Sequence, residues 1–285
     1  MKHRIRAFTL IELLVVIAIV ALLLSILIPS LGKAKEKVKS TICKTHLRGL
    51  GQAITLYLEA YDGRAYYSAN SNGFQWYNAS GHYLNPDDGA AYWGVAYKDY
   101  AEDPDVFGCP SYAKVAELLY GADPDLAKQA GFALNQYFFR DPRAATGDPN
   151  RHNRKIAGME SPYQFIICQD HVEPRIEGNS GSGASDSEQD DMMYIPSGQR
   201  INLRHYRATA AGGRGERQDF YWGIFRHSKR NRALDQPAYA AERITQIDKN
   251  PNGQSNTLFL DTHVEGVPET TGYNIPWRWY SGYRN

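Results

Sequence analysis

The chain has 285 residues, 32 Lys plus Arg against 31 Asp plus Glu, a formal charge of +1 and only 3 cysteines. That length buries a sizeable core in one large or two small domains, and the balanced charge argues against a nucleic-acid binder built on a strong basic field. Three cysteines exclude a disulfide-stapled miniprotein and a four-cysteine zinc site, and the polar average composition excludes a multi-span membrane protein.

The first element is apolar. Phe8–Ile28 reads FTLIELLVVIAIVALLLSILI, with Glu12 its single charge. A helix of this length is about 30 Å long and matches a bilayer core. Lys2, Arg4 and Arg6 precede it and favour a cytoplasmic N-terminus with the remainder in an oxidising compartment, although Lys33, Lys35, Lys37 and Lys39 beyond the span weaken that asymmetry. Two plainer readings stand beside this one. A secretory signal peptide would use the weak site at Ser30-Leu31-Gly32, and a simple anchor would use none. Glu12 separates them. A carboxylate in a membrane segment is costly and by default functional, unless it snorkels to the headgroups. If the chain were cut before Phe8, Glu12 of one subunit could pair with the new α-amine of its neighbour in low dielectric.

Arg6-Ala7-Phe8-Thr9-Leu10-Ile11-Glu12-Leu13 resembles the prepilin signal of type IV pilins and type II secretion pseudopilins. The resemblance implies cleavage between Ala7 and Phe8 by a prepilin peptidase, N-methylation of Phe8, and assembly guided by Glu12 at mature position five. Ala7 departs from the Gly usual before the cut. Pro29 falls where many family members carry a helix-kinking or helix-melting proline. The implied domains are a leader at 1–7, a transmembrane and assembly helix at 8–28, an amphipathic helix at 29–61 and a globular head at 62–285.

The amphipathic stripe runs Leu31, Ala34, Val38, Ile42, then shifts by one residue to Cys43, Leu47, Leu50, Ile54, Tyr57, Tyr61. Its second half is expected to pack on the head, with Gly49 and Gly51 admitting a strand and Asp62-Gly63 ending the helix. In the head, short helices are expected at Tyr92–Tyr100, Ser111–Tyr120 and Asp125–Ala130. Strands are expected at Phe132–Phe138, Tyr163–Gln169, Phe220–Arg226 and Thr257–Val264. Loops separate them at Asp141–Asn153, Gly178–Asp191 and Thr209–Asp219. The fold class is α+β: a long N-terminal helix packed on an antiparallel sheet with long loops, as in pilins.

Two further stretches are similar to an environmental subfamily of pilin-like proteins. Cys109, in Phe107-Gly108-Cys109-Pro110-Ser111, matches the subfamily's Phe-x-Cys-Pro-Ser stretch. In an oxidising compartment Cys109 could join Cys43, closing a loop of roughly 65 residues for about 4 kcal/mol on the chain-entropy model. Cys168, inside an apolar run, reads as a buried free thiol. The subfamily also carries a His, nine residues, then Asp-Gly. His227 and Asp261 resemble its two halves, with a longer insertion between them and Thr262 in place of Gly. If the insertion is a loop between paired strands, His227 and Asp261 can still meet.

No cofactor is expected. Calcium is weighed because type II secretion major pseudopilins hold it near the C-terminus. Asp186, Glu188, Asp190, Asp191 and Asp261 offer oxygens, but none follows the spacing of a calcium loop. His205, His227 and His263 lack the spacing of a zinc pair. There is no G-x-S-x-G, phosphate loop or H-E-x-x-H, and His171 beside Asp170 would face the opposite side of a strand, so no enzyme is expected.

The favoured function is a structural subunit of a type IV-like filament or a type II secretion pseudopilus. Its implied partners are copies of itself and other pilin-like subunits, prepilin peptidase, the inner-membrane assembly platform and the lipid bilayer, with no nucleic acid. It would cross the inner membrane once, with its head periplasmic or, once assembled, on the cell surface. The alternative is a tethered, non-polymerising binding module whose aromatics capture polysaccharide or a secreted protein. Those aromatics include Tyr66, Trp76, Tyr77, Tyr92, Trp93, Trp279, Tyr280 and Tyr283. The neutral total conceals a basic stem, +4 between Lys33 and Glu59, and an acidic head, where 23 basic and 28 acidic side chains from Tyr61 onward leave −5.

Overall fold

The computed structural model describes residues 9–66, 75–101, 103–112, 129–138, 154–170, 225–230, 251–269, 276 and 278–283. The chain divides into two compact units, Met1–Val38 and Lys39–Asn285.

Helix α1 spans Leu10–Ala60 and continues through Pro29. In the first unit its large apolar side chains from Leu10 to Ile28 are all exposed. Among the described residues, α1 is the one helix long and apolar enough to cross a membrane, and none of its apolar window is buried. Two hydroxyls in this stretch fold back on their own helix: Ser25 Oγ donates to the Leu22 carbonyl (2.7 Å) and Ser30 Oγ to the Leu27 carbonyl (2.8 Å). Such bonds keep a hydroxyl satisfied where no water is at hand.

In the second unit α1 buries Ser40, Cys43, Leu47, Leu50, Gly51, Ala53, Ile54, Tyr57 and Leu58. The stripe expected from the sequence is therefore the core face from Cys43 to Tyr57, whereas Val38 and Ile42 before the shift and Tyr61 at its end stay exposed. A side-chain carbon on Gly51 would lie 3.0 Å from Leu258 Cδ1, so this glycine does admit a strand; Gly49 meets only Val106, at 3.6 Å. The helix ends where expected. Asp62 (φ 57°) and Gly63 (φ 72°) turn left-handed, and the Gly63 amide returns to the Leu58 carbonyl at 2.7 Å.

The sheet has four antiparallel strands in chain order: β1 Phe132–Leu134, β2 Ile166–Asp170, β3 Gln254–Phe259 and β4 Val264–Pro268. Three sequence expectations change here. The strand expected over Phe132–Phe138 stops at Leu134, because the chain turns into a 3-10 helix at Gln136–Phe138. The strand expected at Tyr163 starts at Ile166, because Pro162 opens a 3-10 turn. The single strand expected over Thr257–Val264 is a hairpin, in which the Thr262 amide bonds the Phe259 carbonyl at 2.9 Å and the Phe259 amide bonds the His263 carbonyl at 3.0 Å. Tyr92–Tyr100 contains a 3-10 helix at Trp93–Tyr97. Most of the helix at Asp125–Ala130, of Ser111–Tyr120 and of the Phe220–Arg226 strand, and the three long loops, lie outside the described residues.

The hairpin explains the residue that departs from the Asp-Gly pattern. Thr262 has φ 70°, the left-handed region, where a β-branched residue is strained and glycine is not. Thr262→Gly is expected to stabilise the head by about 1 kcal/mol. A higher urea midpoint at unchanged slope would register the gain.

Aromatic rings fill the space between helix and sheet. Trp76, Tyr92, Trp93, Tyr97 and Phe107 are all fully buried. Three of them place their polar atoms on carbonyls: Trp76 Nε1 donates to that of Gln129 (3.0 Å), while Tyr92 Oη and Trp93 Nε1 both donate to that of Phe132 (2.8 and 3.1 Å). Helix α2 spans Arg278–Ser281 and is held by buried side chains that reach its carbonyls. Asn135 Nδ2 bridges the Ile166 and Tyr280 carbonyls, and Arg154 donates to the Tyr137 and Ser281 carbonyls.

Candidate functional site

The first site lies at the start of α1. Thr9 is its N-cap and Glu12 its third residue, and the two form a reciprocal capping box. The Thr9 amide and Thr9 Oγ1 donate to Glu12 Oε2 at 2.8 and 2.9 Å, and the Glu12 amide donates to Thr9 Oγ1 at 3.2 Å. The sequence carries the signature openly as Thr9-Leu10-Ile11-Glu12. Both Thr9 bonds fall on one carboxylate oxygen, Oε2, of an exposed side chain. Ala7 and Phe8 lie outside the described residues.

The second site is inside the head, where four segments distant in sequence converge. Cys43 comes from α1. Cys109 follows a 3-10 turn at Pro104–Phe107, and His46 Nδ1 against the Gly108 carbonyl (2.8 Å) ties that loop to the helix. Asp170 ends β2. His227 pairs by its backbone with Gln254 of β3, through bonds of 3.1 and 2.8 Å. Gly253 lets this segment approach, since a side-chain carbon there would sit 2.2 Å from the Phe225 carbonyl.

Cys43 Sγ lies 3.5 Å from Asp170 Oδ1, Cys109 Sγ 3.5 Å from His227 Nε2, and His227 Nε2 3.2 Å from Asp170 Oδ2. Arg226 Nε approaches Asp170 Oδ1 at 3.5 Å, with its guanidinium over the Tyr112 ring, and the Asn256 amide donates to Asp170 Oδ2 at 2.7 Å. Both thiols are free. Burial alone would raise the Asp170 carboxyl, but His227, Arg226 and the Asn256 amide outweigh it and hold it below the usual range. Burial opposes charge on His227 too, yet Asp170 and Cys109 raise it to about 9. The two thiols are driven apart. Burial and the hydrogen bond to Cys109 raise Cys43, while the same bond, Arg226 and His227 bring Cys109 down against its own burial.

The structure thus brings Cys43, Cys109 and His227 of the sequence candidates together, but gives His227 a different carboxylate. Its partner is Asp170, whereas Asp261 sits in the β3–β4 turn with its Oδ1 2.5 Å from His263 Nδ1. Asp170 carried a signal of its own: a carboxylate closing the apolar run Phe165–Cys168 needs a cationic partner if that run is buried. Cys168 is a buried free thiol. Asp186, Glu188, Asp190 and Asp191 lie outside the described residues. Of the aromatics weighed as a binding platform, Trp76, Tyr92, Trp93, Tyr280 and Tyr283 are core residues.

Residues 2–28 match the family model described as the prokaryotic N-terminal methylation motif. No curated protein and no solved structure matches the chain. The motif supports a prepilin-type signal, membrane anchoring through the apolar helix and a pilin- or pseudopilin-like role. It implies, in general terms, processing by prepilin peptidase and self-assembly.

Proposed function

We propose that this chain is a subunit of a type IV-like filament or type II secretion pseudopilus. Prepilin peptidase cuts between Ala7 and Phe8 and Phe8 is N-methylated. The chain then waits in the inner membrane, N-terminus inward, until the assembly platform draws it into the polymer. The observation that carries this reading is the methylation motif over residues 2–28 on a helix whose apolar side chains from Leu10 to Ile28 are all exposed. An unpartnered apolar helix needs lipid or other helices around it, and the polymer supplies the second.

Glu12 then has two tasks. Oε2 caps its own helix through Thr9, and Oε1 accepts the α-amine of a neighbouring Phe8. A charge pair of this kind is worth most in low dielectric and sets the stagger between helices. Contact between the basic stem of one subunit and the acidic head of the next would add to the order of the polymer.

The test is co-expression of the full chain with a prepilin peptidase and an assembly platform. Intact mass should show loss of residues 1–7 and gain of one methyl group, and the sheared fraction should contain filaments. A cleaved, methylated chain that never leaves the membrane would instead support a tethered binding module.

A further inference from the structure

We infer that Cys43, Cys109, Asp170 and His227 form a structural zinc site that staples α1 to the sheet of the head. One ligand atom from each of these four buried side chains lies within 4.8 Å of all the others. A tetrahedral zinc ion, with bonds of about 2.3 Å to sulfur and about 2.0–2.2 Å to nitrogen and oxygen, needs ligand-to-ligand edges of about 3.3–3.8 Å. Cys43 Sγ lies 3.5 Å from Asp170 Oδ1, Cys109 Sγ lies 3.5 Å from His227 Nε2, and His227 Nε2 lies 3.2 Å from the other carboxylate oxygen, Oδ2. With one ligand atom of each residue within 4.8 Å of the rest, a small contraction and the choice of one Asp170 oxygen bring the cluster to the size of a zinc coordination shell.

The donor set selects the ion. Two thiolates and an imidazole suit zinc and disfavour calcium or magnesium, which take oxygen. Charge agrees. Two thiolates and a carboxylate carry −3, zinc returns +2, and the Arg226 guanidinium beside Asp170 neutralises the remainder. With four protein ligands, all buried, no position is left for substrate, so the site is structural. Its supports are backbone and helix: the Asn256 amide on Asp170, the Gln254 ladder on His227, and His46 on the loop of Cys109. A Cys43–Cys109 disulfide would use the same sulfurs, but it gives no reason for an imidazole and a carboxylate to converge on them. The inference is independent of whether subunits polymerise.

The experiment uses the full chain purified from membranes in detergent without chelator. Metal content is measured by mass spectrometry, and Cys43 and Cys109 are mapped for linkage. The expected result is one zinc per chain, with both thiols reactive only after chelation. Cobalt added to the stripped protein should give thiolate-to-cobalt charge-transfer bands and tetrahedral ligand-field bands. Cys109→Ser should lower zinc affinity by at least the ~10–100-fold that changes in supporting contacts cause. Cys168→Ala should retain one zinc. The cobalt spectrum is read on the unmutated chain, so it stands even if Cys109→Ser fails to fold. A linked Cys43–Cys109 peptide with no zinc would overturn the inference. Free thiols with neither zinc nor cobalt charge-transfer bands would overturn it equally.

Discussion

Asp170→Ala is expected to cost the head about 3–5 kcal/mol, because it leaves buried cations without their counter-charge. The Arg226 side chain is 5% exposed and that of His227 fully buried, and both converge on the one carboxylate. The same substitution strips the Asn256 amide of its acceptor at 2.7 Å. Urea unfolding of the full chain in mild detergent, with chelator present so that bound metal does not enter, should show a midpoint lowered in proportion to that loss at unchanged slope. Asp170→Asn keeps an acceptor for Asn256 and should cost less. A near-neutral Asp170→Asn beside a costly Asp170→Ala would mean that shape and the acceptor, not charge, matter at this position.

Trp93→Ala is expected to cost about 3–5 kcal/mol for a different reason, the cavity it leaves. The indole is fully buried, with ring centroids 5.6 Å from Phe107, 6.0 Å from Tyr97 and 5.0 Å from Tyr92. Its hydrogen bond adds little to the loss, since Tyr92 Oη still donates to the Phe132 carbonyl. Trp93→Phe should recover much of the stability. A near-neutral Trp93→Ala in the urea midpoint would remove Trp93 from the core that joins helix to sheet.

The N-terminal segment was legible in the sequence because its physics is local. An apolar run and a single Glu specify span and charge within a few residues, while the Thr9 cap, equally local, emerged only with the structure. The core face of α1 was legible for the same reason, since Cys43, Leu47, Leu50 and Ile54 recur at helical spacing. The head was less so. Strand β3 begins Gln254-Ser255-Asn256, polar residues that advertise no core, yet Ser255, Asn256 and Thr257 are buried as part of the ladder between β2 and β4. The hairpin escaped notice because its left-handed turn residue is Thr262, not the Gly or Asn that would have announced it. The Asp170 cluster required contacts across 127 and 118 residues, which no spacing rule reaches.

In the proposed polymer Glu12 drives assembly by charge and not by capping. This is tested most directly by comparing Glu12→Ala with Thr9→Ala in the sheared filament fraction of cells that process both. Thr9→Ala removes the capping box, at about 1 kcal/mol, but keeps the carboxylate. It should be cleaved, methylated and assembled. Glu12→Ala should be cleaved and held in the membrane, with the filament fraction falling at least ~10-fold, equivalent to about 1.4 kcal/mol per subunit. Filaments at the unmutated level from Glu12→Ala would contradict the account.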